Sequence, residues 1–450
     1  MPLETLSDDR RSHATRVTES SLYLVLLAES ERPDGTRHRL SGLAEIAIGR
    51  ADRRTVKRDR QRLAIGLADD RMSRAHATLR EAKGGFTIVD AGSRNGTLVN
   101  GELVTGPTEL ADGDLIELGR SVFVVRELAD DDVLPHDCDA ATLARRSPEI
   151  ASFCPELLVA AKGLRKLAPT TVPILLRGES GTGKEVLARA IHAASGRSGP
   201  FIAVNCGALP ETLVESELFG HKKGAFSGAL ADKPGLARAA HGGTLFLDEI
   251  GDLAPASQAA LLRVLQEREV VPIGGTQPIP IDIKLVSATH RDLAAMGDAA
   301  FRRDLYARIA GFTLALPALR DRREDLGLLV GALLERVAPN TKIACEAMRS
   351  IVAHDWPLNV RELDSALRVA AALAEAGTIA LNDLPEAIRE LGAIPPTLSE
   401  EDRRQRDYVV DLLRQHGGNV SAAARASGKA RMQIQRWMRR FAIDPSAYKR

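Results

Sequence analysis

The sequence predicts three domains of different classes: an all-β sandwich, then an α/β domain, then an all-α helix-turn-helix. Short strand-like runs between Gly, Asn and Asp turn formers fill residues 20–128, with no amphipathic helical pattern. Strand and helix patterns alternate over residues 141–375, as in a nucleotide-binding α/β fold. Residues 400–450 contain short helical patterns separated by glycine turns. A chain of 450 residues has room for about three domains that each bury a core.

The composition is typical of a globular protein of the cytoplasm. Aromatic residues make up 4% of the chain and hydrophobic residues 44%, so the cores are expected to be aliphatic. The cysteines have no metal-ligand spacing, which indicates free thiols in a reducing compartment. The N-terminus is polar and does not resemble a signal peptide, and apolar stretches such as residues 22–28 are too short to span a bilayer. We therefore expect no membrane partner.

Composition shifts mark the segments between the domains. Residues 129–140 are acidic and contain a proline, and residues 376–399 contain Pro395 and Pro396, so both are predicted to be linkers. The whole chain has a net charge of +1, whereas residues 400–450 carry twelve basic and six acidic residues. A basic terminal module on a near-neutral protein indicates a nucleic-acid partner.

Turn-rich fragments make the sandwich prediction more specific. They are Gly49-Arg50, the run SRAH from Ser73, and the run DAGSRNGT from Asp90, closed by Val99-Asn100-Gly101. The set resembles a forkhead-associated (FHA) domain over residues 20–128. A phosphothreonine needs a fixed cation, a hydroxyl and amide donors held by rigid turns, and these fragments supply them.

The resemblance implies a phosphopeptide site made of Arg50, Ser73, Arg74, Arg94 and Asn95. Arg50, Ser73 and Arg94 would contact the phosphate, and Asn95 would bind the peptide backbone. The alternative is a sandwich in which these residues only build turns, although no turn needs an arginine at position 50. The basic stretch at residues 50–62 is either a solvated insertion or an extension of the positive field around the pocket.

A phosphate-binding loop opens the α/β domain. The strand pattern VPILLRG leads into the run Gly178, Glu179, Ser180, Gly181, Thr182, Gly183, Lys184 and Glu185, and then into the helical VLARAIHAAS. Glycines let backbone N–H groups turn toward phosphates, the helix N-terminus adds positive potential, and Lys184 would reach the β- and γ-phosphates. Glu185 stands where the generic pattern has the Ser or Thr that holds Mg²⁺.

A second strand carries the matching carboxylates. The run GGTLFLDEI places Asp248 and Glu249 at the end of an apolar strand, as in a Walker B motif. Asp248 would hold Mg²⁺ through water, and Glu249 would polarise the attacking water. The two motifs together predict an ATPase that uses ATP and Mg²⁺.

The ordered motifs of this domain resemble the sigma-54-interacting AAA+ family, which implies a P-loop ATPase fold with a helical lid. They are GESGTGKE, FIAVNCGALPETLVESELFGHKKGAFSGA, GGTLFLDEIGDL, LLRVLQEREVVPIGG, FRRDLYARI, LPALRDRREDL and WPLNVREL. In that family a glutamate at the position of Glu185 is normal. Leu358 in WPLN, where the family has glycine, is expected to affect only a turn.

The resemblance implies further roles around ATP. Asn205 resembles the residue that restrains the catalytic glutamate, His290 occupies a first-sensor position, and Arg361 resembles the sensor arginine. Arg302 and Arg308 match arginines that enter a neighbouring subunit's ATP site, which implies a homo-oligomer, from dimer to hexamer. Six residues apart, they do not share one face of a straight helix, and the alternative is an exposed basic segment.

In that family the loop that contacts sigma-54, here called the tip, has the sequence GAFTGA. In this chain the tip consists of Gly224, Ala225, Phe226, Ser227, Gly228 and Ala229. An aromatic ring between flexible glycines is a poor core element and a good moving contact. Phe226 and the hydroxyl of Ser227 would touch sigma-54 RNA polymerase holoenzyme. Because serine replaces threonine, a plain surface turn without a partner is the alternative.

The tail resembles a Fis-type DNA-binding module. Asn419 is predicted to cap the helix VSAAARAS, and Gly428 is predicted to turn the chain into KARMQIQRWMRRFA. The candidate contacts to double-stranded, enhancer-like DNA are Lys429, Arg431, Gln433, Gln435, Arg436 and Arg439. The alternative is a helical bundle used only for dimerisation.

Together these features predict a sigma-54-dependent activator that binds DNA, hydrolyses ATP to remodel the holoenzyme, and is gated by phosphothreonine recognition. Two other functions stay open. One is an ATP-binding DNA regulator that no longer engages sigma-54, suggested by Ser227. The other is a phosphopeptide-recruited repressor.

Overall fold

The computed structural model describes residues 18–28, 35–82, 85–129, 134–147, 150–389 and 400–440, together with Ile443 and Pro445. The described chain forms two compact units. One consists of residues 144–322 and 356–363, and the other of residues 15–143, 323–355 and 364–450, in each case within the described segments. No helix in those segments is both long enough and apolar enough to cross a membrane.

The N-terminal domain is a sandwich of two sheets. Its strands are β1 (Thr18–Leu27), β2 (Thr36–Arg39), β3 (Glu45–Arg50), β4 (Thr55–Arg58), β5 (Arg62–Leu67), β6 (Ala77–Ala82), β7 (Gly85–Asp90), β8 (Thr97–Val99), β9 (Glu102–Leu103), β10 (Thr108–Leu110), β11 (Leu115–Leu118), β12 (Ser121–Ala129) and β13 (Asp137–Asp139). The sheet orders are β13-β2-β1-β12-β11-β8-β9 and β10-β7-β6-β3-β5-β4. Leu22 and Leu24 from the first sheet pack with Ile46, Ile48 and Leu79 from the second in an aliphatic core. The predicted sandwich is confirmed.

Two segments that were not predicted as strands are paired within the sandwich sheets. In the predicted linker at residues 129–140, β13 pairs antiparallel with β2. In the basic stretch at residues 50–62, β4 pairs antiparallel with β5. Asp137 links β13 to β4, because its carboxylate accepts a hydrogen bond from Arg58 Nε at 2.6 Å. The charge of Arg58 is therefore compensated by an ion pair rather than only by water.

The α/β domain has a parallel sheet covered on both faces. Its elements, after α1 (Ala140–Arg146), are α2 (Pro155–Leu167), β14 (Ile174–Arg177), α3 (Lys184–Ala194), β15 (Phe201–Asn205), α4 (Glu211–Phe219), β16 (Gly220–His221), β17 (Lys233–Pro234), α5 (Leu236–Ala239), β18 (Thr244–Asp248), α6 (Pro255–Glu267), β19 (Glu269–Val270), β20 (Ile279–Pro280), β21 (Lys284–Thr289), α7 (Arg303–Ile309) and β22 (Phe312–Ala315). The parallel strand order is β15-β18-β21-β14-β22. Leu175 enters one core while Ile174 and Leu176 enter the other, which explains the uninterrupted apolar strand.

The lid is a separate group of helices in the second unit. It consists of α8 (Leu326–Val337), β23 (Lys342–Ile343), α9 (Cys345–Ala353), α10 (Asn359–Leu373), β24 (Thr378–Ile379) and α11 (Glu386–Arg389), with α10 beginning in the first unit. The sequence predicts a linker from residue 376, but β24 pairs with β23 and α11 packs on α9. The structure differs there because Ile379 and Ile388 are buried apolar side chains. Residues 390–399 lie outside the described residues.

Within residues 400–440 the tail forms three helices, α12 (Glu400–Gln415), α13 (Val420–Ser427) and α14 (Arg431–Arg440). Val409, Leu413, Ala423, Ile434 and Trp437 are among the side chains of their shared core. The Asn419 carboxamide oxygen accepts hydrogen bonds from two backbone N–H groups of α13, each at 3.1 Å. Gly428, at a φ of 63°, turns the chain toward α14. Both predicted helix boundaries are confirmed.

Candidate functional site

The phosphate loop joins the carboxyl end of β14 to the first turn of α3. Gly178, Gly181 and Gly183 adopt φ values of 156°, 79° and 101°, which favour glycine. A Cβ atom on Gly181 would lie 2.1 Å from the carbonyl oxygen of Leu358, so the following chain passes too close for any side chain. Leu358 is the residue of the WPLN motif that replaces the family's glycine, and its backbone carbonyl excludes a side chain at position 181. Such a loop presents N–H groups to an anion at a helix start.

Lys184 is held over this loop. Its side chain is only 7% exposed, and its Nζ donates hydrogen bonds to the carbonyl oxygens of Gly178 at 2.7 Å and Glu179 at 3.0 Å. The same Nζ lies 3.8 Å from Glu249 Oε1. Burial lowers the pKa of Lys184, and the charges of Glu249 and Asp248 oppose that shift. The ammonium therefore stands between the phosphate loop and the two carboxylates.

Glu185 points in a different direction. Its Oε1 accepts a hydrogen bond from Arg189 Nη2 at 2.6 Å on the exposed face of α3. Thr182 donates from Oγ1 to the Glu179 carbonyl oxygen at 2.9 Å and is buried. The structure thus brings Lys184 to the carboxylates and leaves Glu185 on the surface of the helix.

The carboxylates stand at the carboxyl end of β18. Burial and the neighbouring charge of Glu249 raise the pKa of Asp248, against the opposing charge of Lys184. A site that disfavours its own negative charge would be stabilised by a divalent cation, and Mg²⁺ takes carboxylate and water oxygens. The residues present therefore fit Mg²⁺ held by Asp248.

Glu249 and Asn205 have separate partners. Glu249 adopts a φ of 49°, and its Oε2 lies 2.7 Å from His290 Nδ1. Asn205 is level with Asp248 in the paired strands, but its carboxamide oxygen accepts the N–H groups of Gly207 and Ala208 at 3.0 and 3.1 Å. In this structure Glu249 is held by His290, while Asn205 caps the turn after β15.

Asn359 ties the loop to α10, and sequence reasoning did not single it out. It is fully buried, and its Nδ2 donates to Glu179 Oε2 at 3.1 Å and to the Ser180 carbonyl oxygen at 3.0 Å. Its Oδ1 accepts from the Leu319 N–H at 2.8 Å. Its φ of 57° is a conformation in which asparagine is enriched among non-glycine residues. The asparagine of the WPLN motif was therefore the feature of the sequence that could have indicated this backbone conformation.

Two arginines complete the support of the loop. Arg320 forms two hydrogen bonds with Glu179, at 2.5 and 3.0 Å, and together with Asn359 lowers the pKa of Glu179 to about 2. Arg361, the predicted sensor, donates from Nη1 to Ser180 Oγ at 2.8 Å. Sequence reasoning found Arg361 and missed Arg320, which lies in the quoted motif LPALRDRREDL. Both arginines place positive charge beside the loop.

The two predicted finger arginines lie at opposite ends of α7. Arg302 precedes the helix and pairs with Asp304, with Nη2 2.7 Å from Oδ2. Arg308 lies in the last turn and donates to the Leu265 carbonyl oxygen at 2.9 Å. Among the described residues, neither hydrogen-bonds to a phosphate-loop residue of its own chain. Arg302 is partly exposed and Arg308 is exposed.

The predicted tip forms a closed, exposed loop. The Gly224 N–H donates to the Ala229 carbonyl oxygen at 2.8 Å, and the Ala229 N–H donates to the Phe226 carbonyl oxygen at 3.0 Å. The Phe226 ring is 39% exposed and makes an edge contact with His221, with ring centroids 4.9 Å apart. Ser227 is exposed. The tip therefore presents an aromatic ring and a hydroxyl to solvent.

The FHA residues gather at adjacent loops of the sandwich. The Arg50 N–H donates to the Ser73 carbonyl oxygen at 2.9 Å, and Ser73 Oγ accepts the Arg94 N–H at 3.0 Å. Asn95 Nδ2 donates to the Arg71 carbonyl oxygen at 2.6 Å. The side chains of Arg50, Arg74 and Arg94 are exposed. Three cations, a hydroxyl and an amide thus stand close together at one end of the sandwich.

His76 braces this arrangement. Its Nδ1 accepts the Ser73 N–H at 3.0 Å, and its Nε2 lies 3.1 Å from the Gly96 carbonyl oxygen. Asp90 accepts hydrogen bonds from the N–H and hydroxyl of Ser93, at 2.7 and 2.6 Å. Buried polar groups therefore fix the two loops that carry the candidate phosphate contacts.

The candidate DNA contacts lie on and before α14. Lys429, Arg431 and Arg436 are exposed, and Gln433 and Gln435 are partly exposed. Arg439 belongs to the same helix, and its side chain lies outside the described part of the structure. One face of α14 is thus basic and polar, while Ile434 and Trp437 are on the buried face.

Comparisons with known proteins match the same segments. Residues 46–119 match the FHA domain family, residues 152–315 the sigma-54 interaction domain family, and residues 320–400 the AAA+ ATPase lid domain family. Transcriptional regulatory protein GlrR of Escherichia coli (strain K12) is 42% identical over 327 residues, which are 71% of this chain and 73% of that protein. Transcriptional regulatory protein ZraR of Escherichia coli O157:H7 is 37% identical over 413 residues, which are 86% and 92% of the two chains. The solved structure of NtrX from Brucella abortus in complex with ATP is 30% identical, covers 67% of this chain and 71% of its own, and has a TM-score of 0.48.

Proposed function

The chain belongs to the family of sigma-54-dependent transcriptional regulators, and on this premise we propose that it is an activator that uses ATP hydrolysis to remodel sigma-54 RNA polymerase holoenzyme. The observation that carries the proposal is the position of Lys184 Nζ, 3.8 Å from Glu249 Oε1 above the phosphate loop. This brings a phosphate-binding cation and a candidate base to one end of the parallel sheet. The AAA+ lid match supports the same enzyme class.

Binding of ATP would begin at Lys184. Its ammonium now donates to the carbonyl oxygens of Gly178 and Glu179, and phosphate oxygens are stronger acceptors for it. The loop N–H groups and the α3 N-terminus would hold the same phosphates. Arg361 on Ser180 would respond to the nucleotide, because it already contacts the loop.

Hydrolysis would use Glu249 as the base. Glu249 would accept a proton from water as the water oxygen attacks the γ-phosphorus, and the bond to the bridging oxygen would break to release ADP. His290 would orient the carboxylate through the 2.7 Å contact. Asp248 would hold Mg²⁺ through water, and the bound ion would neutralise phosphate charge. Arg302 or Arg308 of a neighbouring subunit would stabilise the same charge in an oligomer of two to six chains.

The tip would convert this cycle into work on sigma-54. Phe226 is partly packed on His221, so a nucleotide-driven movement that frees the ring would expose apolar area to a partner. The tail would place the protein on double-stranded DNA through the basic face of α14. The FHA site would bind a phosphothreonine-containing protein or segment and gate the ATPase.

One assay tests this function against its alternatives. Purified full-length protein, ATP and sigma-54 holoenzyme should form open complexes on a promoter that carries the protein's DNA site. ATP turnover and DNA binding without promoter opening would favour the regulator that does not engage sigma-54, for which Ser227 is the motivating residue. DNA and phosphopeptide binding that lowers transcription would favour the repressor.

A further inference from the structure

An apolar side chain lies on the basic face of α14. Met432, in the first turn of this helix, is 78% exposed. The other apolar side chains of α14 are all buried in the core of the tail, namely Ile434, Trp437 and Met438. A single exposed apolar residue is ordinary on a protein surface, so its position on the helix has to decide whether it has a role.

Helical spacing places Met432 on the side of α14 that faces away from the core. Residues four positions apart lie on one face of a helix, so Met432 shares its face with the exposed Arg436. At about 100° per residue, the buried Ile434 lies about 200° round the helix from Met432, on the opposite side. Met432 is therefore an apolar residue on the outermost line of the helix.

The turn before α14 fixes where this helix begins. Gly428 ends α13 with a φ of 63°. Its N–H donates to the Arg425 carbonyl oxygen at 3.3 Å, and the Lys429 N–H donates to the Ala424 carbonyl oxygen at 3.3 Å. Such bonds close the end of a helix and set the direction of the chain that follows. The first turn of α14, with Met432 in it, is thus held in a defined place relative to α13.

The charges around Met432 favour DNA over a second copy of this chain as the occupant of this face. Residues 428–440 contain no acidic residue and five basic ones, which are Lys429, Arg431, Arg436, Arg439 and Arg440. In a symmetric dimer that met through this face, the same cations would lie opposite one another. Double-stranded DNA carries about one negative charge per 1.7 Å of its axis, so it complements the face.

The major groove offers one apolar group to a side chain such as Met432. In a helix-turn-helix, residues at the N-terminal end of the second helix contact base edges. Guanine, cytosine and adenine present hydrogen-bond donors and acceptors there, and thymine adds a C5 methyl group. A methionine side chain is flexible and polarisable, so it packs on a methyl group without needing a hydrogen bond.

We propose that Met432 reads a thymine in the DNA site by packing on its C5 methyl group. The contact rests on the DNA binding proposed above for α14, and it adds a base preference to that function. Arg436 lies four residues further on, about 6 Å along the helix, and arginine recognises guanine through O6 and N7. Because successive bases lie about 3.4 Å apart, the site contains a thymine within about two base pairs of a guanine.

A thymine-to-uracil scan tests the contact, because uracil lacks only the C5 methyl group. A site is first selected from a pool of randomised duplexes with the full-length chain, and each thymine in it is then replaced in turn. At one thymine, the replacement should weaken binding by the wild type about fourfold, the factor expected for one buried methyl group. Met432→Ala should bind the thymine and uracil duplexes equally, because the side chain that contacts the methyl group is gone. Fluorescence anisotropy at one fixed salt concentration gives the affinities.

Further variants separate base reading from folding. Met432→Leu keeps an apolar side chain and should keep the discrimination between thymine and uracil. Met432→Gln has a similar length and a polar end, and it should lose the discrimination. Tyr408→Ala truncates an exposed side chain on α12, outside the proposed contact, and as the matched control it should discriminate as the wild type does.

The possible failures are distinguishable. If the wild type selects a site, but wild type and Met432→Ala lose the same factor at every uracil, the thymine contact is overturned and DNA binding by the tail stands. A changed oligomeric state of Met432→Ala in sedimentation, with the uracil effect unchanged, assigns Met432 to a protein interface and also overturns the contact. If the wild type enriches no sequence from the pool, sequence recognition by the tail is contradicted together with the contact.

Discussion

His290 Nδ1 lies 2.7 Å from Glu249 Oε2, and this contact orients the carboxylate at the end of β18. Glu249 has a positive φ of 49°, so its side chain leaves the strand in a direction that ordinary strand geometry does not give. The family resemblance had assigned restraint of this glutamate to Asn205. In the structure Asn205 instead caps the turn Cys206–Ala208. Substitutions of His290 and of Asn205 are therefore expected to have different effects on hydrolysis and stability.

His290→Ala should lower kcat by about tenfold with little change in KM, because an unrestrained carboxylate is less often aligned with water. Asn205→Ala should leave the single-turnover rate closer to wild type and reduce thermal stability, because it removes a cap worth roughly 1 kcal/mol. Rapid-quench hydrolysis and thermal unfolding of both variants measure the difference. A larger loss of single-turnover rate in Asn205→Ala would return the restraint to Asn205.

The proposed ATP chemistry separates nucleotide binding from hydrolysis. Lys184→Ala should abolish nucleotide binding, because the buried ammonium is the loop's own cation. Glu249→Gln should retain binding and lose roughly 10²–10⁴ in turnover, as expected when a general base is removed. Glu267→Gln, an exposed position at the end of α6, is the matched control and should behave as wild type. Fluorescent-nucleotide titration and phosphate release report the two steps, and normal turnover by Glu249→Gln would remove it from catalysis.

Assembly is tested by complementation between inactive chains. Arg302→Ala and Arg308→Ala should each hydrolyse ATP poorly, because the arginine would act on a neighbour's nucleotide. Mixing either variant with Lys184→Ala should restore part of the activity, since a complete site then forms across the interface. ATPase assays over a range of mixing ratios provide the measurement. Failure to recover activity at any mixing ratio would contradict a role of these arginines in a neighbouring subunit. Their function would then lie in the contacts within their own chain, with Asp304 and with the Leu265 carbonyl oxygen.

The FHA pocket predicts phosphate-dependent binding. Arg50→Ala should weaken phosphothreonine-peptide affinity at least about tenfold, since a charge-assisted hydrogen bond to phosphate contributes roughly 1.5–3 kcal/mol. Arg53→Ala removes a nearby exposed cation of the basic stretch and should have a smaller effect. Fluorescence anisotropy with paired phosphorylated and unphosphorylated peptides gives the comparison. Equal wild-type affinity for the two peptides would contradict phosphate recognition.

Local patterns predicted the elements that carry their own signals. The apolar strands β14 and β18 end in charged or glycine-rich turns, so their order and their chemistry were visible in the residue types. The FHA turns and the Asn419 cap were visible for the same reason. These features depend on a few neighbouring residues, and the structure places them as those residues require.

Contacts between distant segments were not predictable in the same way. A lone glutamate in a sandwich strand is expected to face water, and Glu117 gives no sign of its partner Arg349, 232 residues away. Gly327 in α8 resembles a poor helix residue until the Val25 backbone is placed beside it. Asp137 lies in an acidic stretch that was interpreted as a linker. Its partner Arg58 lies in a distant basic stretch, so the composition of neither stretch indicates that the two residues pair. Only the folded chain brings such pairs together.

The tip loop connects ATP hydrolysis to sigma-54 in the proposed function, and Ser227 makes that link testable. Phe226→Ala should leave ATPase activity and DNA binding intact and abolish open-complex formation, because the exposed ring is the tip's apolar contact. Ser227→Thr should keep or improve opening, since the added methyl is worth roughly 0.8 kcal/mol at full burial. Ser227→Ala should lose more, because it removes the hydroxyl. Val159→Ala, a truncation of an exposed apolar residue on α2, is the matched control. Promoter opening at saturating ATP decides the matter: a wild type that hydrolyses ATP and binds DNA, yet opens no sigma-54 promoter even as Ser227→Thr, would be a regulator that does not engage sigma-54.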